Sequence, residues 1–340
     1  QVATASPADV DRAVAAARAA FEAWRELAPM ARRQALMALA DAIDQAAPEL
    51  GALDCLDMGK PLATAEQEAH VAAFIVRWYA EAIDQVFGDV VASHPAALAY
   101  SQPVPYGVVG AVIAWNYPVI NAAMKIAPAL AAGNAIVLKP SEHAPLSALR
   151  LADLASAAGL PAGLVCVVHG GPAAGEALCA HEGVDMLAFT GSTPTGQRVA
   201  GIAAPQLKPL ILECVGKNPI LVAEDVDDVA AMVRELVGES FANTGQLCVA
   251  RSKLIVPRAR RSDVLEALQA ALASVRTGDP CDAATVYGPL AHAGHALAVE
   301  RGIAQAVAGG AQLLRDGRAA LSGSVHCAAT LLEAEAPASP

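Results

Sequence analysis

Several things are missing from this chain, and each absence closes off a class of function. It has no surplus of positive charge: 23 Lys and Arg stand against 34 Asp and Glu, a net charge of -11. No basic patch is at hand to neutralise phosphates, so nucleic acid is not expected as a partner. No apolar run reaches the length of a bilayer span without glycine, proline or charge breaking it, so no membrane partner is expected either. The nearest, 108–115, has the length of a buried strand. Cysteines number seven, an odd count, and none falls in a C-x-x-C or other paired spacing. That excludes a disulfide-linked structural protein and favours free thiols in a reducing cytoplasm. His292 and His295 form an H-x-x-H on an expected helix, but no third ligand accompanies them, so they read as surface residues and no metal is expected. No G-x-G-x-x-G occurs anywhere, so the ordinary dinucleotide fingerprint is absent. No signal peptide is visible, although the chain begins at Gln1 rather than Met.

What is present reads as a well-buried globular protein. Hydrophobic residues make up 55% and charged residues 17% of 340 positions, a length for which two domains are the default. The first third reads as helices. Ser6-Pro7-Ala8-Asp9 supplies an N-cap, a proline at the first helical position and an acid where a capping box needs one. Val10, Val14, Ala17, Phe21 and Trp24 follow at helical spacing. Pro29 and Pro48 punctuate two further helices, and Gly59 closes the last of them. A long helix is expected from near Thr64, with Gln67 completing a second capping box, to about Val86, packed by Trp78 and Tyr79. Residues 88–105 alternate less cleanly and suit an extended hairpin. From Gly107 onward short β-branched runs (108–113, 135–138, 164–168, 186–189) alternate with Ala-rich helical segments. This pattern predicts an α/β fold with a parallel sheet covered by helices on both faces. Residues 209–213 add a strand. A new unit begins after Lys217, with strand 220–222, a helix over about 226–239, a loop bearing Cys248 and strand 253–256.

Three side chains could carry chemistry. Cys248 ends the run Asn243-Thr244-Gly245-Gln246-Leu247-Cys248, in a turn, unlike Cys166 inside an apolar strand. Glu213 ends the strand Pro209-Leu210-Ile211-Leu212, and Asn116 follows another in Trp115-Asn116-Tyr117-Pro118. A thiol to attack, an amide to hold an oxyanion and a carboxylate to activate water are the parts that covalent chemistry on an aldehyde requires. Each has a plainer reading alone: an inert buried thiol, a salt-bridged strand end, a turn residue. Phe189-Thr190-Gly191-Ser192-Thr193 runs from strand to helix start, where backbone N–H groups could face a phosphate or simply begin a capped helix. Lys139-Pro140-Ser141-Glu142 sets a cation and an acid at the carboxyl edge of the sheet, as ligand contacts or as a solvated turn.

Taken together, in this order and spacing, these segments resemble the NAD(P)-dependent aldehyde dehydrogenase superfamily. The resemblance runs from the first helix through Thr277-Gly278-Asp279-Pro280 and Gly288-Pro289-Leu290. It implies a Rossmann-like parallel-sheet NAD domain (1–86 and 106–217), an oligomerisation hairpin (87–105) and an incomplete α/β catalytic domain (218–340). Carried over, Cys248 looks like the nucleophile, Glu213 the general base, and Asn116 the oxyanion donor alongside the Cys248 backbone N–H. Lys139 and Glu142, with Ser141 between them, would meet the adenosine ribose. Gly191 and Ser192 would meet the diphosphate, and Ile113, Trp115, Gly171 and Thr195 belong to the same cofactor set. An acid at Glu142 would accept ribose hydroxyls and repel a 2′-phosphate, so NAD is expected over NADP. The implied substrate is a small aldehyde and the implied assembly a homo-dimer or homo-tetramer.

The sequence departs from the family pattern twice. Val215, in Glu213-Cys214-Val215-Gly216-Lys217, stands where the family has glycine, and crowding or strain there is expected to impair turnover. The chain also stops in an Ala/Pro-rich tail before the Glu-x-Phe-Gly-Pro segment and the final strand of the family, and its start looks cut. A truncated form of a longer enzyme is therefore expected. A catalytically dead relative kept for nucleotide binding or a structural role is the alternative. The run Arg77-Trp78-Tyr79-Ala80-Glu81-Ala82-Ile83-Asp84 and Glu213-Cys214 are similar to branches acting on aminoaldehydes, while Leu247, Val249 and Met124 imply a mostly apolar channel.

Overall fold

A computed structural model describes residues 2–92, 95–318 and 325–334. By internal contact the chain divides into two compact units. One comprises Gln1–Leu53 with Glu66–Cys214, the other Asp54–Ala65 with Val215–Pro340. The division falls three residues before Lys217, and a short N-terminal segment goes with the second unit. Nothing in local sequence marks that excursion.

Helix α1 (Pro7–Arg25) starts as its sequence dictates: the Ser6 side chain accepts from Asp9 N–H and the Asp9 carboxylate accepts from Ser6 N–H. It buries Val10, Val14, Ala17, Phe21 and Trp24, and the Trp24 indole donates to the Leu130 carbonyl at 3.0 Å, so a large ring is buried with its one polar atom satisfied. Helices α2 (Pro29–Gln45) and α3 (Ala47–Met58) follow, Pro48 lying in the first turn of α3. Helix α4 spans Leu62–Glu81, then one 3-10 turn, Ile83–Gln85. It begins two residues before Thr64, so that threonine is helical and Gln67 completes no box around it. Trp78 is 54% exposed rather than packed, while Tyr79 is half-buried against the core. Strands β1 (Val90–Val91) and β2 (Ala99–Tyr100) pair antiparallel, with all four residues exposed. Of the expected hairpin, residues 93 and 94 lie outside the described residues.

Strands β3 (Val108–Val112), β4 (Ala135–Lys139), β5 (Val165–Val167), β6 (Met186–Thr190) and β7 (Leu210–Glu213) form one parallel sheet in the order β5-β4-β3-β6-β7. Helices α5 (Pro118–Ala131), α6 (Leu146–Ala157), α7 (Pro172–Ala180) and α8 (Thr193–Ala203) connect them. Strands β3 and β4 read as continuous apolar runs because both faces are buried. The chain winds from β3 outward through β4 to β5, then returns to the other side of β3 for β6 and β7. The strand order thus reverses between β3 and β6, where α/β sheets open a ligand crevice at their carboxyl ends.

In the second unit, β8 (Pro219–Leu221) pairs parallel with β9 (Lys253–Ile255), and α9 (Val229–Ser240) and α10 (Arg261–Ala273) share a core of Val222, Val233, Leu236, Leu268 and Tyr287. Asp228 caps α9 by accepting from Ala231 N–H, which moves its start from the expected 226 to 229. Helix α11 (Ala293–Ala308) is followed by an antiparallel pair, β10 (Gln312–Arg315) and β11 (Leu331–Glu333). Half-buried His292 is the N-cap of α11, its ring accepting from His295 N–H, so this histidine begins a helix rather than lying idle on the surface. Among the described residues no cluster of three His, Cys, Asp or Glu could hold a metal, and no helix is long and apolar enough to cross a membrane.

Candidate active site

Every candidate residue of the first unit lies at, or just beyond, the carboxyl end of a parallel strand. Ile113, Trp115 and Asn116 follow β3; Lys139, Ser141 and Glu142 close and follow β4; Gly171 follows β5; Gly191, Ser192 and Thr195 follow β6; Glu213 ends β7. The sheet register therefore brings them to one edge. The Ile113 N–H donates to the Lys139 carbonyl at 3.1 Å, and the Gly191 N–H donates to the Glu213 carbonyl at 3.0 Å, so the ladder continues into these loops.

Half-buried Asn116 accepts at Oδ1 from Nδ2 of Asn121, one turn into α5, at 3.4 Å. That contact turns the donor end of its carboxamide away from Asn121. Glu213 is exposed at the strand tip. Sequence reasoning missed its electrostatic neighbour, Lys125, which is buried on α5. Burial lowers the Lys125 pKa, and the Glu213 charge opposes that fall. A lysine inside an Ala-rich helical run was the available signal, since lysine is rarely buried without a partner.

At the carboxyl end of β4, Lys139 is 4% exposed, donates from Nζ to the Pro140 carbonyl at 2.8 Å and lies 3.6 Å from Glu142 Oε2. Burial lowers its pKa while Glu142 opposes the change. For Glu142, burial acts to raise the pKa, but its own backbone, Lys139 and His143 together outweigh that and hold the carboxyl below the ordinary range. Ser141 is buried and accepts from the His143 N–H at 3.3 Å. His169, two residues past β5, joins this group unforeseen; burial first, then Lys139, lowers its pKa. Gly191 packs its backbone onto the Phe189 ring, which a Cβ there would approach to 2.5 Å.

Helices α7 and α8 begin at Gly171 and Ser192 with no side-chain cap and no acid in the first turn, as do α2, α5 and α6, whereas α1 and α9 are capped. Ser192 Oγ instead contacts Thr195 Oγ1 at 2.9 Å. Two uncapped helix starts, a lysine–carboxylate pair and a strand-order reversal together suit an anionic dinucleotide. The residues fit.

Cys248 belongs to the second unit and is exposed in a turn closed by Ala250 N–H to the Leu247 carbonyl at 3.1 Å. Its approach is unusual. Asn243, Thr244 and Gly245 all have positive φ (50°, 59° and 78°), a conformation that asparagine and glycine tolerate and a β-branched threonine resists. Side chains hold the bend. Buried Gln246 donates to the Asn243 carbonyl at 3.0 Å and accepts from Ala291 N–H at 2.9 Å, and the Thr244 hydroxyl donates to the Gly288 carbonyl at 3.1 Å. Asn218 Nδ2 reaches the carbonyls of Cys248 (3.0 Å) and Ala250 (3.2 Å). Gln246, Thr244 and Asn218 are thus positioning residues that sequence reasoning passed over. Val215 is 64% exposed and its φ is not positive, so the strain expected of a β-branched residue there is absent.

The model of the aldehyde dehydrogenase family matches residues 1–339 of the chain. The NADP/NAD-dependent aldehyde dehydrogenase PuuC of Escherichia coli (strain K12) is 40% identical over 94% of this chain and 65% of its own length. An aminoacetaldehyde dehydrogenase of Pseudomonas aeruginosa is 43% identical over 87% of this chain and 60% of its own. PnpE, solved in complex with nicotinamide adenine dinucleotide, superposes with a TM-score of 0.94 at 38% identity, covering 98% of this chain and 69% of that one. The chain spans less than two thirds of the length of these two curated relatives.

Proposed function

The chain belongs to the aldehyde dehydrogenase family, and on that premise we propose that it serves oxidation of an aldehyde to a carboxylic acid with NAD as acceptor. The observation that carries this reading is continuous similarity: relatives named as aldehyde dehydrogenases match 94% and 87% of the chain at 40% and 43% identity.

Each proposed role follows from chemistry that the side chain can perform. The Cys248 thiolate adds to the aldehyde carbon, and its exposed position in a turn supports that role. Charge then gathers on the former carbonyl oxygen, where the Asn116 Nδ2 and the Cys248 backbone N–H donate hydrogen bonds. The dinucleotide, when bound, supplies the two-electron acceptor that aldehyde oxidation needs. The acyl group left on sulfur is released by water, which Glu213 deprotonates; buried Lys125 is its electrostatic neighbour. Ile113, Trp115, Gly171, Gly191, Ser192 and Thr195 would hold the dinucleotide at the strand ends, with Lys139, Ser141 and Glu142 at its ribose. An ionised Glu142 favours free ribose hydroxyls, and hence NAD over NADP.

For substrate we propose small aldehydes, aminoaldehydes first among them, following the 43% identical aminoacetaldehyde dehydrogenase. Met124 on the first unit and Val249 on the second are each exposed and apolar, in keeping with the expected apolar channel. The exposed β1–β2 hairpin, with Val90, Val91 and Tyr100 outward, supports a homo-oligomer, which light scattering would measure.

The test is an aldehyde panel with NAD or NADP, following reduced cofactor and free acid, and repeated with Glu213→Gln. We expect acid from the native chain, and in the variant an acyl adduct on Cys248 visible by intact mass. Thioester formed with coenzyme A and no free acid would overturn the role of Glu213.

A further inference from the structure

Away from Cys248, the second unit brings two other cysteines together. Cys55, 7% exposed near the end of α3, and Cys281, exposed in the loop after Pro280, lie near enough for Cys281 to act on the Cys55 thiol. They are 226 residues apart in sequence, by subtraction of their numbers. Their meeting is built by the backbone on either side. The Leu62 N–H donates to the Pro280 carbonyl at 3.0 Å, and Cys281 N–H is held by Asp279 Oδ1 at 2.9 Å. Gly59 turns at φ +74° beneath Pro289, so close that a Cβ on it would lie 2.2 Å from the proline ring. Residues 277 and 287 bridge the loop to itself. Two thiols are thereby held on facing segments that are each fastened independently.

We propose that Cys55 and Cys281 form a second thiol site, separate from Cys248, that closes into a reversible disulfide when the protein meets a peroxide. Exposed Cys281 reacts first: its sulfur attacks hydrogen peroxide, the O–O bond breaks, an S–O bond forms, and one water leaves. The sulfur is now a sulfenic acid, oxidised by two electrons as the peroxide is reduced. Cys55 then attacks that sulfur, the S–S bond forms, the S–O bond breaks, and the hydroxyl departs with the Cys55 proton as a second water. A dithiol reductant reverses the step by exchange. The division of labour has a physical cause. Burial first, then Cys281 and Asp279, push the Cys55 thiol up to about 11, so it stays protonated and shielded until an activated sulfur is placed beside it.

The bridge would also bear on the nucleophile loop. The same 277–291 segment provides the Gly288 carbonyl and Ala291 N–H that hold Thr244 and Gln246. Fixing Cys281 to α3 therefore fixes the backbone to which the Cys248 approach is fastened.

The experiment uses the full chain carrying Cys248→Ser, so that the exposed nucleophile takes no part, and needs no enzymatic activity. After stoichiometric peroxide and alkylation of remaining thiols, a Cys55–Cys281 bridged peptide should dominate and disappear with dithiothreitol. It should be absent when Cys281→Ser or Cys55→Ser is added; Cys281 is exposed, so its variant is free of folding risk. The thermal midpoint should rise on oxidation by on the order of 5 °C, and only where both cysteines remain. Recovery of Cys281 as a sulfinic acid or an intermolecular disulfide, with Cys55 still alkylatable after unfolding, would overturn the proposal.

Discussion

The two units present their candidate residues by different means. In the first, Glu213 ends a strand and Asn116 lies in the short bend between β3 and α5, both placed by a five-stranded ladder with fully buried residues on β3 and β4. In the second, Cys248 stands on a turn outside any strand, reached through three left-handed residues and held by the side chains of Gln246, Thr244 and Asn218. One arrangement derives precision from register and apolar packing, the other from a few polar contacts. They should fail differently. Damage to the sheet should lower global stability before it misplaces a side chain, whereas damage to the clasp should misplace the thiol at a smaller cost in stability.

The largest effect tests whether the turn carries the chemistry at all. Cys248→Ser replaces a good nucleophile by a poor one and should lower aldehyde-dependent reduction of NAD by at least ~10³-fold, with melting unchanged. Asn116→Ala in the bend after β3 should cost about 10²–10³-fold, because addition to the carbonyl still occurs without one donor. If the two variants lose equally, the thiol is not the nucleophile.

The next pair sharpens the contrast directly. Leu138→Ala empties a fully buried position in β4 and should cost about 2–5 kcal/mol of stability by denaturant unfolding, with the rate of Cys248 alkylation unchanged. Gln246→Ala removes both the Asn243 and Ala291 contacts and should cost only ~1–3 kcal/mol while altering that alkylation rate several-fold. Equal alkylation in both variants would mean that the turn keeps its shape without the clasp.

How much of this was legible in the sequence follows the same division. The parallel strands could be read because burial on both faces leaves unbroken runs such as Ala135-Ile136-Val137-Leu138, and the Ser6–Asp9 box because it is local. The start of α4 was misplaced: Thr64 and Gln67 have the right spacing for a box, yet the helix already begins at Leu62, where the backbone is tied to Pro280. The Cys248 motif was readable as a turn, but its fastening to Gly288 and Ala291 was not, since those partners lie more than forty residues away. Trp78 misled because an aromatic at helical spacing usually packs, and here it faces solvent.

A smaller effect is expected at Glu142. Glu142→Gln removes the charge proposed to oppose a 2′-phosphate and should shift the NAD-to-NADP affinity ratio about tenfold toward NADP by calorimetry. The native Glu142 pKa lies below its ordinary value of 4.5, so its charge, and the preference it gives, should persist as pH falls to 4.5 and fade only below that. A preference lost between pH 7 and 5 would assign it to another group, with His169 the first to examine.

The smallest effect separates helix stability from ligand binding at a single position. Helix α8 begins at Ser192 without a side-chain cap and without a first-turn acid, while α1 and α9 both carry capping carboxylates or hydroxyls. On stability alone an acid at position 192 would be favourable by about 0.5–1 kcal/mol, because it caps exposed N–H groups and meets the positive end of the helix dipole. An anionic diphosphate at the proposed site would use those same N–H groups and the same dipole. Ser192→Asp should therefore raise the melting midpoint slightly and weaken NAD binding several-fold, the two changes moving in opposite directions. A rise in both, or binding left untouched, would show that the diphosphate is held elsewhere on the sheet edge and that the bare start of α8 has no part in it.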